Sequence, residues 1–506
     1  MKILSTDQIY QSDNATIQNK SITSVDLMEH AANQCFKRIK KIVGSKKKAI
    51  YIFCGIGNNG GDGLVIARKL IEDQYTVSTY IVNFSNKRSP DFQVNYKRLI
   101  QLGANPIEIN GNSAFPIINK DEIVIDAIFG IGIKRAPQGF VKEIIQHINN
   151  CNCFVISVDF PSGLYAETSV TDKESVIKSV HVLTFQNPKL AFFLPENKDF
   201  CKNWEVIDIG LDQHFINGLN TNFETIDNRK IESIYKPREK FTHKGTFGHS
   251  LIIGGSYGKI GAVVLASRSA LKIGSGLVTA YIPKCGYQVL QSSNPEVMVE
   301  VDDENYLQYF NYKTISTVIG IGIGLGTHNK TKDGFAKFLK NNKLPLVIDA
   351  DGLNILALHK ELWTLIPENS VLTPHPKEFE RLVGKWKNDY EKLEFLMDFS
   401  ARIKCVVILK GAYSVIAYQE KIFFNTTGNP ALATAGSGDV LTGIITGLIA
   451  QYYSSIHASI LGVYLHGKSA DIAIQSKETM ETFIASTGIE FLNEAIRSIH
   501  SEKMAL

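Results

Sequence analysis

The chain has no Cys-x-x-Cys pair among its seven cysteines, and Cys151-Asn-Cys153 has the wrong spacing for a zinc knuckle or a thioredoxin motif. An odd count without a framework argues for reduced, intracellular thiols. Neither sign of charge is in excess: 54 Lys and Arg face 50 Asp and Glu, a formal +4 that gives no footprint for nucleic acid. The densest basic stretch, Lys37-Arg-Ile-Lys-Lys41 with Lys46-Lys-Lys48, reads as a solvated helix end and loop. Long apolar runs are missing too. Met1-Lys-Ile-Leu is followed at once by Ser, Thr, Asp and Gln, so a signal peptide's apolar core is lacking, and Val440 to Ala450 falls well short of the ~20 residues that span a bilayer. A cytoplasmic protein without a membrane partner is expected. There is no Walker A sequence, which removes the P-loop kinases as a model.

At 44% hydrophobic and 21% charged the chain is an ordinary globular protein, and 506 residues exceed one core and imply two or three domains. Residues 1 to 40 read as helices. Ala49-Ile-Tyr-Ile-Phe-Cys54 is a continuous apolar run bounded by glycine, which suits a strand buried on both faces. It enters Gly55-Ile-Gly-Asn-Asn-Gly-Gly-Asp-Gly63, followed by a helical pattern from Leu64 to Asp73 and a strand from Thr76 to Val82. This βαβ unit predicts a doubly wound, Rossmann-like parallel sheet with its ligand at the strands' C-terminal ends. Gly55, Gly57 and Gly60 satisfy G-x-G-x-x-G, yet the second strand runs into Val82-Asn-Phe84 with no carboxylate for a ribose, which argues against an ordinary NAD-dependent dehydrogenase.

Asn58, Asn59 and Asp62 add polar groups that pyrophosphate cradling does not need. Two later apolar runs also end in a carboxylate, Asp126 in Ile123-Val-Ile-Asp-Ala-Ile-Phe-Gly-Ile-Gly-Ile-Lys134 and Asp159 in Phe154-Val-Ile-Ser-Val-Asp-Phe-Pro-Ser-Gly163. Each could simply cap its turn. Parallel strands aim all these ends at one crevice, which predicts a shared site. Asn59, Asp126 and the Ser162 region offer hard oxygen ligands for an alkali or alkaline-earth cation rather than zinc, and Asp159 is left as an acid/base candidate. Together these motifs resemble the NAD(P)H-hydrate epimerase domain. The resemblance implies potassium at Asn59, Asp126 and Ser162. It also implies contacts to the hydrated nicotinamide from Asn58, Asn59, Gly60, Gly61 and Asp62, from Gly130, Ile131, Gly132, Ile133, Lys134, Arg135 and Ala136, and from Asp159. Thr184-Phe-Gln-Asn-Pro-Lys-Leu and Val206-Ile-Asp-Ile-Gly210 fit the same domain.

Periodicity is lost through Asn217-Gly-Leu-Asn-Thr-Asn222, read as a turn-rich linker that separates a first domain, 1–218, from a second, 219–506. In the second, apolar strands again run into glycine or polar groups: Ser250 to Gly255, Val318 to Gly326, Leu346 to Asp351, Val371 to His375 and Cys405 to Gly411. The chemistry is expected where Asn425-Thr-Thr-Gly-Asn-Pro-Ala-Leu-Ala-Thr-Ala-Gly-Ser-Gly-Asp-Val-Leu-Thr-Gly443 joins a glycine-rich turn to a helix. An amphipathic stripe of Val440, Leu441, Ile444, Ile445, Leu448 and Ile449 marks that helix, in which Gly443 and Gly447 signal close packing. Its N-terminus suits a phosphate, and Asp439, expected to be held ionised by the dipole, is placed to accept a hydroxyl proton.

Gly436-Ser-Gly-Asp439 resembles the anion-hole and catalytic-base motif of the ribokinase-like superfamily, and its longer context looks like the ADP/ATP-dependent NAD(P)H-hydrate dehydratase branch. Thr373-Pro-His-Pro-Lys-Glu and Leu-Lys410-Gly fall in the matching order. By that resemblance Ala262, one of Gly324 and Gly326, and His375 touch the hydrated nucleotide. Lys410, Gly411, Ala412, Tyr413, Ser414 and Gly438 hold ADP, and Asp439 is catalytic. Asp349 and Asp351 could position Mg²⁺ through water or merely fix a turn. The two resemblances imply a Rossmann-like epimerase domain fused to a ribokinase-like α/β domain, acting on hydrated NADH and NADPH with K⁺, Mg²⁺ and ADP or ATP, as a homo-oligomer. Three alternatives stand beside this one: a small-alcohol kinase of hydroxymethylpyrimidine or thiazole type with a regulatory first domain, a first domain that is a silent ligand-binding module, and hydride transfer.

Overall fold

The computed structural model describes residues 1–44, 46–302 and 305–501. They form two compact units, one from Met1 to Thr221 with Asn388–Tyr390, the other Asn222–Lys387 with the described chain from Glu391 onward. Among the described residues no helix is long and apolar enough to cross a membrane.

The first unit is built on strands β1 (Ile50–Cys54), β2 (Val77–Val82), β3 (Ile107–Ile109), β4 (Ile123–Ala127), β5 (Phe154–Val158), β6 (Ser179–Phe185) and β7 (Cys201–Ile207). They make one parallel sheet in the order β3-β2-β1-β4-β5-β6-β7. Helices on both faces leave the central strands without a solvated side, which is why β1 and β4 read as unbroken apolar runs. The order reverses between β1 and β4, paired Phe53 to Asp126 and Cys54 to Ala127, and a crevice opens beyond those C-terminal ends. Helices Thr6–Lys20 and Ser24–Val43 precede β1, each begun by a capping box, Ser5 with Gln8 and Thr23 with Asp26.

Two sequence expectations need correction here. The helix expected from Leu64 starts at Asn58, so the glycine run forms its first turns rather than a loop before it. Packing outweighs poor helix propensity: a Cβ on Gly60 would lie 1.9 Å from the Gly55 carbonyl oxygen, so only glycine lets the helix close on the strand end. The stretch from Asn217 is not turn throughout, because Asp212 caps a short helix, Gln213–Gly218, by accepting from the Phe215 amide at 3.1 Å.

The second unit has strands β8 (Phe223–Ile226), β9 (His249–Ile253), β10 (Leu277–Pro283), β11 (Met298–Asp302), β12 (Val318–Ile321), β13 (Leu346–Ile348), β14 (Val371–Leu372), β15 (Val406–Leu409), β16 (Val415–Tyr418) and β17 (Lys421–Asn425). Their order is β11-β10-β9-β12-β13-β14-β15-β16-β17-β8, parallel except at the two β16 pairings. Helix Ser437–Ala450 lies against the middle of this sheet and between helices Ile260–Lys272 and Ser455–Ser476. It is not amphipathic: every residue from Val440 to Ala450 is buried, the polar ones included. Its neighbours come close enough to cover all its faces because a Cβ on Gly443 would sit 2.1 Å from the Ala266 carbonyl oxygen, room that only glycine leaves.

Candidate active sites

A cavity of about 950 Å³ opens at the strand ends of the first unit. Its lining brings together Asn58, Asn59, Asp62, Gly130, Ile131, Gly132, Ile133 and Asp159 from the sequence-based set. Gly60 and Gly61 face packing instead, against Gly55 and Met28. Lys134, Arg135 and Ala136 lie outside the lining.

Asp159 follows β5 in a left-handed backbone conformation, φ 60°, which non-glycine residues adopt at a cost of about 1–3 kcal/mol. The bend turns its Oδ1 onto three donors: the Phe185 amide at 3.0 Å, Thr184 Oγ1 at 3.3 Å and Lys189 Nζ at 2.6 Å. Lys189 is only 2% exposed and also donates to Thr184 Oγ1 and the Phe185 carbonyl. This buried ion pair lines the cavity, and sequence reasoning missed half of it. Lys189 sits inside the quoted Thr184–Leu190 stretch, where an isolated lysine after an Asn-Pro carries no chemical signal.

Two further residues were missed. Tyr10 and Asp13 reach the cavity from helix Thr6–Lys20. Burial, and then the Asp159 charge, push the Asp13 carboxyl up to about 7, with Lys189 opposing. Burial also pushes Asp62 well above the carboxylate range, with Asp159, Asp13 and Asp91 adding to it.

Asn59, Asp126 and Ser162 do converge. Ser162 donates its hydroxyl to Asp126 Oδ1 and its amide to Oδ2 at 2.9 Å, and Ser157 Oγ donates to Oδ2 at 2.8 Å. Asn59 Nδ2 donates to the Phe129 carbonyl at 2.9 Å, and the Phe129 amide donates to Ser162 Oγ at 2.8 Å. Asp126 is 0% exposed, and among the described residues no basic side chain pairs with it. Its charge is met instead by four neutral donors, the Ser157 and Ser162 hydroxyls and the Ser162 and Ile128 amides, while the Phe129 carbonyl and Ser162 Oγ beside it are neutral hard oxygens of the kind an alkali cation takes.

In the second unit a cleft of about 470 Å³ is lined by Ala262, Gly324 and Asp439, with Lys259, Asn354 and Glu378 added by the structure. Gly326 stands beside it with its amide on Asp351 Oδ2 at 2.8 Å. His375 caps helix Pro376–Val383, its Nδ1 accepting from the Lys377 and Glu378 amides, while its own amide donates to Glu378 Oε2 at 2.9 Å.

Asp439 lies in the first turn of helix Ser437–Ala450, entered through Gly436 at φ 86°. Ser437 N bonds back to Thr434 O and Val440 N to Gly436 O, while among the described residues the amides of Gly438 and Asp439 between them carry no such bond. These two donors and the helix dipole suit an anion. Beside it, a Cβ on Gly438 would come within 3.4 Å of Lys410 Nζ. Lys410 pairs with buried Asp349 at 2.8 Å, and Asp349 is fixed in turn by Thr442 Oγ1 at 3.0 Å. Gly411 to Ser414 form the turn between β15 and β16, with Gly411 N and Ser414 Oγ 3.5 Å apart. Deep to the turn, His466 Nε2 meets Ser437 Oγ at 3.4 Å, and burial pushes this imidazole down to about 4, so it is neutral.

The helix N-terminus is not the largest influence on Asp439. Burial first and the Asp349 charge second push its carboxyl up to about 7, against Lys410.

A carboxyl poised near neutrality, beside a lysine and at a helix N-terminus, is the arrangement that suits an enzyme in which a hydroxyl loses its proton next to a held anionic group. The comparisons agree with that class. Residues 250–489 match the family model described as NAD(P)H-hydrate dehydratase, and 24–191 match the YjeF-related protein N-terminus. The bifunctional NAD(P)H-hydrate repair enzyme of Moorella thermoacetica is 33% identical over 99% of this chain and 98% of its own, and that of Escherichia coli 30% identical over 92% and 88%. The solved Bacillus subtilis ADP/ATP-dependent NAD(P)H-hydrate dehydratase, co-crystallized with ATP/Mg²⁺, is 26% identical, covering 55% of this chain and 100% of its own at a TM-score of 0.49. The chain belongs to the family of bifunctional NAD(P)H-hydrate repair enzymes.

Proposed function

We infer that the chain repairs hydrated nicotinamide nucleotides with two activities: the first unit interconverts the R and S epimers at C6, and the second dehydrates the S epimer to NADH or NADPH using ADP or ATP. The observation that carries this reading is the placement of Asp439 in the first turn of helix Ser437–Ala450, in the cleft lined by Ala262 and Gly324, with Lys410 Nζ beside Gly438.

Asp439 takes the proton of the C6 hydroxyl as that oxygen attacks the terminal phosphoryl group of the nucleotide. The amides of Gly438 and Asp439 and the Lys410 ammonium stabilise the charge that gathers on the phosphoryl oxygens. Phosphate then leaves C6 with the bonding pair, a C5 proton is lost, and the dihydronicotinamide is restored. Asp349 keeps Lys410 in place. Asp349 and Asp351 have their oxygens engaged by Lys410, Thr442, Gly326 N and Asn354, so they suit Mg²⁺ through water, a metal that binds largely by way of nucleotide phosphates and neutralises their charge.

In the first unit the ion-paired Asp159 moves protons at the C6 hydroxyl. Asn59, the Phe129 carbonyl, Asp126 and Ser162 would hold potassium, which supplies a fixed positive charge beside the substrate. The fusion is chemically economical, because a stereospecific dehydration strands half of a racemised pool unless the other epimer is recycled.

The test is recovery of reduced-nicotinamide absorbance from epimerised hydrated NADH with Mg²⁺, K⁺ and ADP or ATP. Full recovery by the wild type, none by D439N, and a stop once the S epimer is spent in D159N are expected. A stable phosphorylated product with no recovery would turn the reading to a small-alcohol kinase.

A further inference from the structure

Inverting the configuration at C6 requires proton traffic on both faces of the ring. One group must protonate the departing hydroxyl, and another must take a proton from the water that adds opposite to it. Asp159 is one such group. Its Oδ1 is saturated by Lys189 Nζ, Phe185 N and Thr184 Oγ1, while Oδ2 has no hydrogen-bond partner among the described residues.

Helix Thr6–Lys20 supplies a second carboxylate to the same cavity. Ile9, Tyr10, Asp13, Asn14 and Ile17 all line it, the spacing of a single helical face. The placement is close: a Cβ on Gly132 would lie 2.7 Å from the Tyr10 hydroxyl, so this face sits directly on the loop after β4. Asp13 is therefore held over the site by the helix and by the Tyr10 contact, one turn apart on that helix.

We propose that Asp13 is a second catalytic acid/base of the first unit, acting with Asp159 on the C6 hydroxyl of the hydrated nicotinamide. This rests on the reading of the first cavity as the epimerisation site. Protonated Asp13 gives its proton to the hydroxyl, the C6–O bond breaks with its electron pair leaving on water, and the N1 lone pair forms the N1=C6 iminium. Water adds to the other face of that planar carbon and ionised Asp159 accepts its proton. The iminium electrons return to N1, and the two carboxyls have exchanged one proton with no net change in the substrate's atoms. In the reverse direction the roles swap.

The two environments differ in the sense this needs. Asp159 has an ammonium on it, whereas among the described residues Asp13 has none within bonding distance, and it is pushed up to about 7 by burial and by Asp159. The charged and titratable groups that act on or with Asp13 are Asp159 and Lys189 beyond β5 and β6, Tyr10 on its own helix and Asp62 after β1, and Lys87, Arg88 and Asp91 after β2 line the same cavity.

The test uses the full chain with potassium and no nucleotide, starting from the isolated S epimer of hydrated NADH and following the R epimer by chromatography above the uncatalysed background. D13N is expected to lose at least about 100-fold in turnover and to lose the limb of the pH profile near 7, while its ADP- or ATP-dependent dehydration of the S epimer is unchanged. D13E, with the carboxyl one methylene farther out, is expected to recover part of the rate and to show a displaced limb. Epimerisation by D13N within about threefold of wild type, or with the limb intact, overturns the assignment. If D13N lowers the unfolding temperature of the first unit, D13E decides, and a folded D13E without the limb also overturns it. No epimerisation by the wild type would sink the reading of the cavity itself, and this assignment with it.

Discussion

Replacing Asp439 by asparagine should abolish dehydration and yet make the protein more stable above neutral pH. The folded carboxyl titrates near 7 against an ordinary 3.8, so the folded state holds that proton more tightly than the unfolded chain does. The stability this contributes is complete below about pH 4 and is lost as the pH rises through 7; asparagine does not titrate and loses nothing. A raise of about three units corresponds to about 4 kcal/mol once the group is ionised. Asp439 lines an open cleft, and water there halves the penalty to about 2 kcal/mol, or about 5 °C for a unit of this size. Thermal unfolding of the full chain at about pH 5 and about pH 8.5, read on the transition that added nucleotide shifts, measures it. A D439N variant whose gain over wild type is the same at both pH values would refute the argument, since only titration of this carboxyl separates them.

Lys410→Met removes the charge that lowers Asp439, so the acidic limb of kcat/KM for dehydration should move up by about one pH unit, and buried Asp349, left unpaired, should cost about 3 kcal/mol in an unfolding titration. Gly443→Ala gains about 1 kcal/mol of helix propensity but drives a methyl to 2.1 Å from the Ala266 carbonyl; a net loss of about 2 kcal/mol is expected by thermal unfolding. Potassium should raise the unfolding temperature of the first unit of the wild type relative to a bulky organic cation at equal ionic strength, and Asp126→Asn should abolish that difference.

Much of this architecture was legible in the residues because parallel strands covered on both faces leave unbroken apolar runs, and because glycine and a carboxylate at their C-terminal ends mark a crevice. The sequence was less informative wherever packing decided the outcome. Asn58 to Gly63 look like a loop by propensity and are helix because the strand end demands close approach. Helix Ser437–Ala450 looks two-sided because Thr442 and Thr446 are polar, yet both are 0% exposed, satisfied by Asp349 and by the Thr442 carbonyl. Ion pairs between distant segments were invisible: nothing near Asp159 in the chain announces Lys189, and nothing near Lys410 announces Asp349. His375 shows the converse, a motif residue whose ring caps a helix whatever else it does. Asp13 is the hardest case, since on a helix of mixed polarity it reads as solvated surface.

The strand β8 bears on how the second unit can be produced alone. The match to the dehydratase model begins at residue 250, but the sheet begins at Phe223, with β8 laid along β17 in the register Phe223 to Ile422 through Ile226 to Asn425. Ile226, Ile231 and Ile234, all upstream of that match, belong to the core shared with helix Ser437–Ala450. An expression fragment cut at the family boundary would bare the backbone of β17 along its whole length and leave an apolar hollow behind it, a surface that recruits other copies of itself. A fragment that starts at about residue 222 keeps its own edge strand and should remain in solution.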